Sequence, residues 1–264
     1  MSWQLASFVM VALALALAGW WYERSRPPAK LLAVIATLAA LAALGRDAFA
    51  AVPDVKPITA IVLVSGVAFG AGPGFAVGAV SAIASNVLLG EGPWTPWQML
   101  GWGVVGLMGG ALGALTARRL PPLALALACA VGAEAFNLIL DLYTWTGTGN
   151  HTLAGFGVVL GSAFAFDLTH VLASFAFGVA FGGVLLRMLL RVRSRLHVTW
   201  SPATSDASGR SSLPPPQAGI PVGAPLAPVL AALMLVPAAL LAGAISAARA
   251  SGNSASSHQI ARSK

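Results

Sequence analysis

Residues 97–119 read WQMLGWGVVGLMGGALGALTARR. No charged side chain occurs from Trp97 to Ala117, and Arg118 and Arg119 follow at once. A run of this length and apolarity can cross the ~30 Å hydrocarbon core of a bilayer as a helix. Basic residues at its end indicate the cytoplasmic side. The segment predicts a transmembrane helix, and other parts of the chain repeat its pattern.

The composition indicates the same class of protein. Of 264 residues, 58% are hydrophobic and 9% are charged, whereas soluble domains carry about 25% charged residues. Alternation with a period of two residues is absent, so closed β-barrels are disfavoured. The net charge of +7 does not indicate nucleic-acid binding, because the basic residues lie at the ends of apolar runs.

The apolar runs predict an all-α integral membrane protein with about eight spans. The residues from Ala71 to Gly74 favour a turn, so the third and fourth runs are either two short spans or one broken pair. We expect helices at 4–22, 30–49, 57–71, 74–90, 97–117, 122–145, 160–190 and 223–248.

The arginines and lysines predict the orientation. Three separated basic clusters fall on one side, which we take as cytoplasmic, leaving Arg46 and Lys56 outside. We expect a multi-pass protein of the plasma membrane, with the first helix retained because no basic residue precedes it. The clusters are Arg24, Arg26 and Lys30; Arg118 and Arg119; and Arg187, Arg191, Arg193 and Arg195.

Residues 199–222 are rich in Ser, Pro and Gly and predict a disordered cytoplasmic linker. This divides the chain into an extra helix and turn at 1–29, a six-helix core at 30–198, the linker, and an extra helix with a tail at 223–264.

Polar residues collect in three outer loops, at 52–57, 90–98 and 146–152. In the second loop, Pro93 and Pro96 restrict the backbone near Trp94 and Trp97. A preordered loop of this kind suits a planar small molecule with polar edges, although tryptophans at a membrane interface need no ligand. The candidate substrate-binding residues are Asp54, Lys56, Asn86, Glu91, Trp94, Thr95, Trp97, Gln98, Trp102, Asn137, Asp141, His151, Asp167 and His170.

Several of these residues lie inside predicted helices, where polar groups need a partner or a wet cavity. Glu134, Asn137 and Asp141 share one helix face. Asp167 and His170 are three residues apart and could share a hydrogen bond. The alternative interpretation is that these groups only join helices to one another.

Small residues form two further patterns. In the second predicted helix, Ala36 and Ala40 are four residues apart, and so are Ala39 and Ala43. Small residues at this spacing allow another helix to approach closely. Gly106, Gly109, Gly110 and Gly113 form a ridge that we expect to pack within the chain. Hydrolase, zinc-protease and phosphate-loop motifs are absent from the sequence. We therefore expect no catalytic residue, no metal and no cofactor.

Two stretches carry a resemblance to a known family. The first runs from Asp54 to Ala60 and continues through Gly66 and Gly70 to Phe75; the second runs from Ser85 to Met99. Together they resemble the substrate-specific S components of energy-coupling factor (ECF) transporters, over roughly residues 30–195. The resemblance implies a six-helix core with both ends cytoplasmic. It also implies a vitamin-like substrate bound near the outer surface, under the three polar loops.

The resemblance further implies a toppling mechanism. The S component would bind substrate outside and rotate against a transmembrane coupling subunit, while two partner ATPase subunits drive the cycle. Docking would use Ala36 and Ala40, or Ala39 and Ala43. The extra terminal helices and the linker depart from the family pattern. Cobalamin is the first candidate substrate, and riboflavin, a queuosine precursor or another heterocycle stay open.

Two other functions remain as alternatives. A stand-alone ion-coupled secondary transporter would depend on carboxylates such as Asp141 or Asp167, although no inverted repeat is evident. A non-transporting membrane scaffold would use the Pro-rich linker as its binding element.

Overall fold

The computed structural model describes residues 27–196 continuously and, before them, only positions 9, 13, 16 and 23–25. The linker and the last predicted helix lie outside the described residues, as does nearly all of the first predicted helix. The part of the chain that is described is helical and contains no strand. It includes five helices long and apolar enough to cross a membrane, which is compatible with a multi-pass membrane protein.

The helix boundaries agree with the apolar runs to within a few residues, except at the start of the last core helix. That helix begins at Leu153 rather than near 160, where the side chain of Thr152 accepts a hydrogen bond from the backbone N–H of Gly155. A π-helical turn at Gly178–Gly182 joins its two parts into one helical run of 44 residues. The helices are α1 (Ala29–Ala48), α2 (Ile58–Phe69), α3 (Ala71–Leu89), α4 (Thr95–Leu115), α5 (Pro122–Gly147), α6 (Leu153–Phe177) and α7 (Gly183–Leu196).

The turn expected from Ala71 to Gly74 is wrong. Those residues form the first turn of α3, where the ring of Pro73 is tolerated because the N–H groups of a first turn have no partner within the helix. The chain reverses instead at Gly70, whose φ of +103° favours glycine. Of the two runs, α3 is long and apolar enough to cross a membrane. α2 has 12 residues, too few to span a bilayer, and every one of them is buried.

Glycines bring α2, α3 and α4 into backbone contact. A Cβ on Gly106 would overlap the carbonyl oxygen of Gly74, and one on Gly66 would overlap the carbonyl oxygen of Gly106. On the same helix, a Cβ on Gly109 would overlap the carbonyl oxygen of Leu63. The predicted packing of the α4 glycine ridge within the chain is confirmed, and these three helices form a close-packed block.

The two ends of the bundle can be told apart by their side chains. Arg193 of α7 donates a hydrogen bond to the carbonyl oxygen of Ala68 at 2.6 Å, so the end of α2 lies at the basic, predicted cytoplasmic end. The opposite end holds the ends of α1 and α3 and the beginnings of α2 and α4, and we call it the outer end.

The exposed face of α1 distinguishes the two alanine registers. Ala39 and Ala43 are buried against the bundle, with 1% and 5% of their surface exposed. Ala36 and Ala40 are exposed. Of the two pairs, only Ala36 and Ala40 are on a surface that another protein could contact.

Candidate functional site

Asn86, near the end of α3, is the centre of a polar cluster at the outer end. Its side-chain oxygen accepts a hydrogen bond of 2.6 Å from Nη1 of Arg46. Its side-chain nitrogen donates to Thr95 Oγ1 and Gln98 Oε1, both at 2.8 Å. The same Arg46 nitrogen donates to Ser85 Oγ at 2.6 Å. We call these five residues the Asn86 cluster; it joins α1, α3 and the first turn of α4.

The loop between α3 and α4 is tied to this cluster. The hydroxyl of Thr95 donates to Glu91 Oε2 at 2.7 Å. The ring of Trp94 packs against Gly92. Trp94 remains 38% exposed. The loop is shorter than the sequence suggested, because Thr95 already begins α4.

Trp102 lies beneath the Asn86 cluster and is completely buried. Its ring stacks on Phe136 with 4.2 Å between centroids. The guanidinium carbon of Arg46 lies 5.0 Å from the Trp102 centroid, on its ring face. This cation–π contact connects the Asn86 cluster to a second set of hydrogen bonds.

The second set begins at Trp102 on α4 and joins it to α2, α6 and α5, and we call it the Trp102 relay. Trp102 Nε1 donates to Thr59 Oγ1 at 3.1 Å, and that hydroxyl lies 2.9 Å from His170 Nε2. His170 Nδ1 lies 2.7 Å from Asn137 Oδ1, while Asn137 Nδ2 donates to the Asp167 carbonyl at 3.2 Å. Every group in the relay is satisfied if His170 is neutral with its proton on Nδ1.

The relay corrects one expectation from the sequence. Asp167 and His170 do not share a hydrogen bond, because both ring nitrogens of His170 contact other helices. The spacing of three residues brings the two side chains to one face of α6, but Thr59 and Asn137 provide closer partners in the packed interior.

Lys56 and Asp54 lie beside the relay in the loop before α2. They form an ion pair of 2.5 Å, and Lys56 Nζ lies 5.7 Å from the centroid of Phe136. Burial lowers the pKa of the Lys56 ammonium from its ordinary value, and the neighbouring Asp54 carboxylate opposes that change. The charge of Lys56 is therefore already neutralised within the protein.

Trp97 Nε1 and Asp141 Oδ2 are buried polar atoms near the outer end that have no hydrogen-bond partner, on residues with 7% and 5% of their surface exposed. Both carboxylate oxygens of Asp47, at the end of α1, also lack a partner. Trp97 packs against Tyr143, two residues beyond Asp141 on α5, with ring centroids 5.8 Å apart. A buried group without a partner costs about 1–3 kcal/mol. Trp97 Nε1 is a donor and Asp141 Oδ2 is an acceptor, so a polar ligand or a water molecule could satisfy either of them.

A separate groove of about 530 Å³ lies between α5 and α6, and we call it the lateral groove. Its lining is mainly apolar but includes the carboxylates Glu134 and Asp167. Both lie within electrostatic range of Asp141. Carboxylates facing an apolar groove inside a membrane helix pair are costly and are commonly functional.

The predicted site residues divide into two groups. His151 is apart from the rest, because its contacts are with Trp145 and Thr146 of its own hairpin. The other thirteen lie in or beside the two hydrogen-bonded sets, although the Asp167 carboxylate lines the lateral groove. These are Asp54, Lys56, Asn86, Glu91, Trp94, Thr95, Trp97, Gln98, Trp102, Asn137, Asp141, Asp167 and His170. Among the described residues no group of three potential metal ligands occurs.

Comparison with known proteins gives one match. The model of a family of unknown function, DUF6580, matches residues 26–196. The chain belongs to this family. The DUF6580 match covers α1 to α7 and therefore both hydrogen-bonded sets. Searches of curated proteins and of solved structures found no match.

Four residues of the site escaped the sequence analysis of this DUF6580 chain. The sequence predicts Arg46 only as a basic residue on the outer side, and Thr59, Ser85 and Phe136 are not among its candidate site residues. One signal was available for Arg46: it is the only basic residue in the second apolar run after its first position. Thr59, Ser85 and Phe136 carry no such signal, since common residue types become partners only through the packing of distant helices.

Proposed function

We propose that this protein is a substrate-binding membrane subunit that captures a small molecule at its outer face. The observation that carries the proposal is that two buried polar atoms, Trp97 Nε1 and Asp141 Oδ2, have no hydrogen-bond partner. Their residues lie beside the Asn86 cluster and the Trp102 relay. Burial of such atoms without partners is unfavourable. A ligand that accepts from Trp97 Nε1 or donates to Asp141 Oδ2 would remove that cost for the atom it binds.

The transport context of the proposal comes from the sequence resemblance to ECF S components. In this proposal the core has six helical members, of which five cross the plasma membrane and α2 is a short buried sixth, and further spans precede and follow the core. Ala36 and Ala40 face the coupling subunit, and two ATPase subunits supply the energy. The exposure of these two alanines supports this docking register over the one at Ala39 and Ala43.

The substrate is a vitamin or a related micronutrient in this proposal, and cobalamin is the first compound to test. The Asn86 cluster supports substrate binding because it holds α1, α3 and α4 together at the outer end with hydrogen bonds of 2.6–2.8 Å. A site built on packed helices holds its polar groups in place before the ligand arrives, which lowers the entropic cost of binding.

A second candidate function is favoured by the lateral groove. Glu134 and Asp167 line it together, and membrane-embedded carboxylates commonly carry protons or ions in secondary transporters. In that case the protein would act without coupling or ATPase subunits, and its transport would depend on these carboxylates.

Uptake assays distinguish the two functions. We would express the full chain in a bacterial host that lacks vitamin uptake, with and without an ECF coupling module, and measure accumulation of labelled vitamins. The S-component proposal predicts uptake only with the module and little effect of Glu134→Gln or Asp167→Asn. Uptake without the module that is lost in both variants would favour the ion-coupled transporter.

The scaffold alternative has its own test. Deleting residues 199–264 should leave ligand binding intact if the core alone carries the site. Loss of the protein's cellular role after this deletion, with no change after Trp94→Ala or Trp97→Ala, would favour a scaffold.

A further inference from the structure

Arg46 is a half-buried cation with no acidic partner. Its Nη1 donates to two neutral oxygens, on Ser85 and Asn86. The structure shows no ion pair for it, and Lys56–Asp54 is the one ion pair among the described residues. A buried or half-buried charge normally needs a counter-charge to offset the cost of leaving water.

The remaining nitrogens of Arg46 are available. Neither Nε nor Nη2 makes a hydrogen bond to another part of the described chain, and neither is among the fully enclosed polar atoms that lack partners. A guanidinium offers five N–H donors in a planar fork that matches the two oxygens of a carboxylate or phosphate. The side of Arg46 that carries Nε and Nη2 is therefore suited to an anion.

The protein holds this guanidinium in place. Ser85 Oγ accepts a hydrogen bond from Arg46. The same hydroxyl donates to the carbonyl oxygen of Ser81 at 2.9 Å, which fixes its position. Asn86 is fixed by Thr95 and Gln98. The face of the guanidinium lies over Trp102. Because Arg46 is already ordered, an anion that binds it loses little of its affinity to the ordering of the side chain.

Nearby acids do not replace such a ligand. Asp47 and Asp54 are the acids whose charges act on Arg46, but neither forms an ion pair with it. Asp54 is paired with Lys56 at 2.5 Å. Both carboxylate oxygens of Asp47 are enclosed without a hydrogen-bond partner, so Asp47 does not bind the guanidinium.

We infer that the ligand of the outer site carries a carboxylate or phosphate group that binds Arg46. This inference rests on the proposed function, because it assigns a substrate class to the same site. It narrows the candidate micronutrients to acids and phosphate esters, and it ranks cobalamin derivatives with a free peripheral carboxylate above cobalamin itself.

Matched pairs of compounds test the inference. The detergent-purified full chain would be titrated with nicotinate and nicotinamide, biotin and biotinamide, flavin mononucleotide and riboflavin, and a monocarboxylic hydrolysis product of cyanocobalamin and its parent. Binding would be read from the shift of the thermal unfolding midpoint and from calorimetry. In at least one pair, we expect the anionic member to bind about tenfold or more tightly than the neutral one, which corresponds to about 1.4 kcal/mol.

Variants assign the preference to Arg46. Arg46→Gln should abolish it, and Arg46→Lys, which keeps the charge and lacks the fork, should retain part of it. Arg119→Gln, at an exposed arginine of the basic end, is the matched control and should retain all of it. If Arg46→Gln fails to fold, the comparison of Arg46→Lys with Arg119→Gln decides.

The outcomes separate the inference from the proposed function. If some compounds bind but in no pair does the anionic member bind more tightly than its neutral partner, or if the preference survives in Arg46→Gln, the inference is wrong while the binding function stands. If no compound of any pair binds the wild-type chain, both are contradicted.

Discussion

The block of α2, α3 and α4 and the hairpin of α5 and α6 are both apolar in sequence but are built differently. In the most apolar stretch of α3 and of α4, 50% of the residues are buried inside the protein. In the most apolar stretch of the helical run that begins at Leu153, only 22% are buried. Glycines allow backbone contact in the block. The hairpin instead exposes large apolar side chains and carries the carboxylates of the lateral groove.

This difference assigns separate roles to the two regions. The block holds the Asn86 cluster rigidly, since its helices cannot move without losing backbone contact. The hairpin supplies Asn137 and His170 to the Trp102 relay while most of its surface faces outward. A membrane protein can thus build a fixed polar site on one group of helices and leave another group for contact with lipid or a partner.

The largest expected effect comes from widening the block. In Gly106→Ala the new Cβ overlaps the Gly74 carbonyl oxygen, so α3 and α4 must separate. We expect a loss on the order of 4 kcal/mol, at the upper end for one substitution. Thermal unfolding and size-exclusion chromatography in detergent measure it.

Gly161→Ala is the matched control in the hairpin. No atom lies within 4 Å of its Cβ position, and alanine favours helices over glycine by about 1 kcal/mol. Equal unfolding midpoints for the two variants would show that the block is not as closely packed as described.

Removing the centre of the Asn86 cluster should have the next largest effect. Asn86→Ala removes one hydrogen bond from each of Arg46, Thr95 and Gln98. Arg46 keeps Ser85 and Thr95 keeps Glu91, but Gln98 Oε1 loses its donor, at about 1–3 kcal/mol for a buried polar group. We expect ligand affinity to fall about tenfold or more, as measured by calorimetry. Asn150→Ala, in the exposed hairpin loop, should leave affinity unchanged. If Asn86→Ala and Trp97→Ala both keep wild-type affinity, the site is elsewhere.

The two alanine registers of α1 predict opposite results. Ala39→Leu should destabilise the protein by about 1–3 kcal/mol, because the added atoms enter a packed interior. Ala36→Leu should leave stability and ligand binding unchanged but weaken association with the coupling subunit. Co-purification of the subunits, compared with the unfolding midpoint, separates these effects; a stable, fully coupled Ala36→Leu variant would remove the docking assignment.

The smallest expected effect compares two buried tryptophans. Trp102→Phe removes an N–H that donates to Thr59 and should cost about 0.5–1.5 kcal/mol of stability. Trp97→Phe removes an N–H with no partner, so it should cost less stability but reduce ligand affinity. Unfolding and binding measurements on both variants test this difference. Normal ligand binding by Trp97→Phe would contradict the prediction.

The sequence predicted most of the fold because the membrane imposes long apolar helices, and these are legible from hydropathy alone. It misplaced the reversal at Gly70, because a proline that suggests a turn is also compatible with the first turn of a helix. The buried nature of the 12-residue α2 could not be inferred from length, since a short apolar run does not reveal what surrounds it.

The candidate site was predicted less completely. Asn86 stood out because polar residues inside membrane helices are costly, and Gln98 because it lies in the loop with Trp94, Pro96 and Trp97. Arg46 did not, because a basic residue near a helix end usually orients the helix and only the fold brings it over Trp102. The pairing of His170 with Thr59 depends on residues far apart in sequence, which spacing along one helix cannot reveal.

The central claim is that the outer end binds a small molecule, and the most direct test is to identify what the purified protein holds. We would denature the detergent-purified chain and analyse the released compounds by mass spectrometry, beside a variant with both Trp94→Ala and Trp97→Ala. The account predicts a vitamin-like compound near one per protein in the wild type and its absence from the variant. A wild-type protein that is empty and binds no member of a vitamin panel would contradict the account.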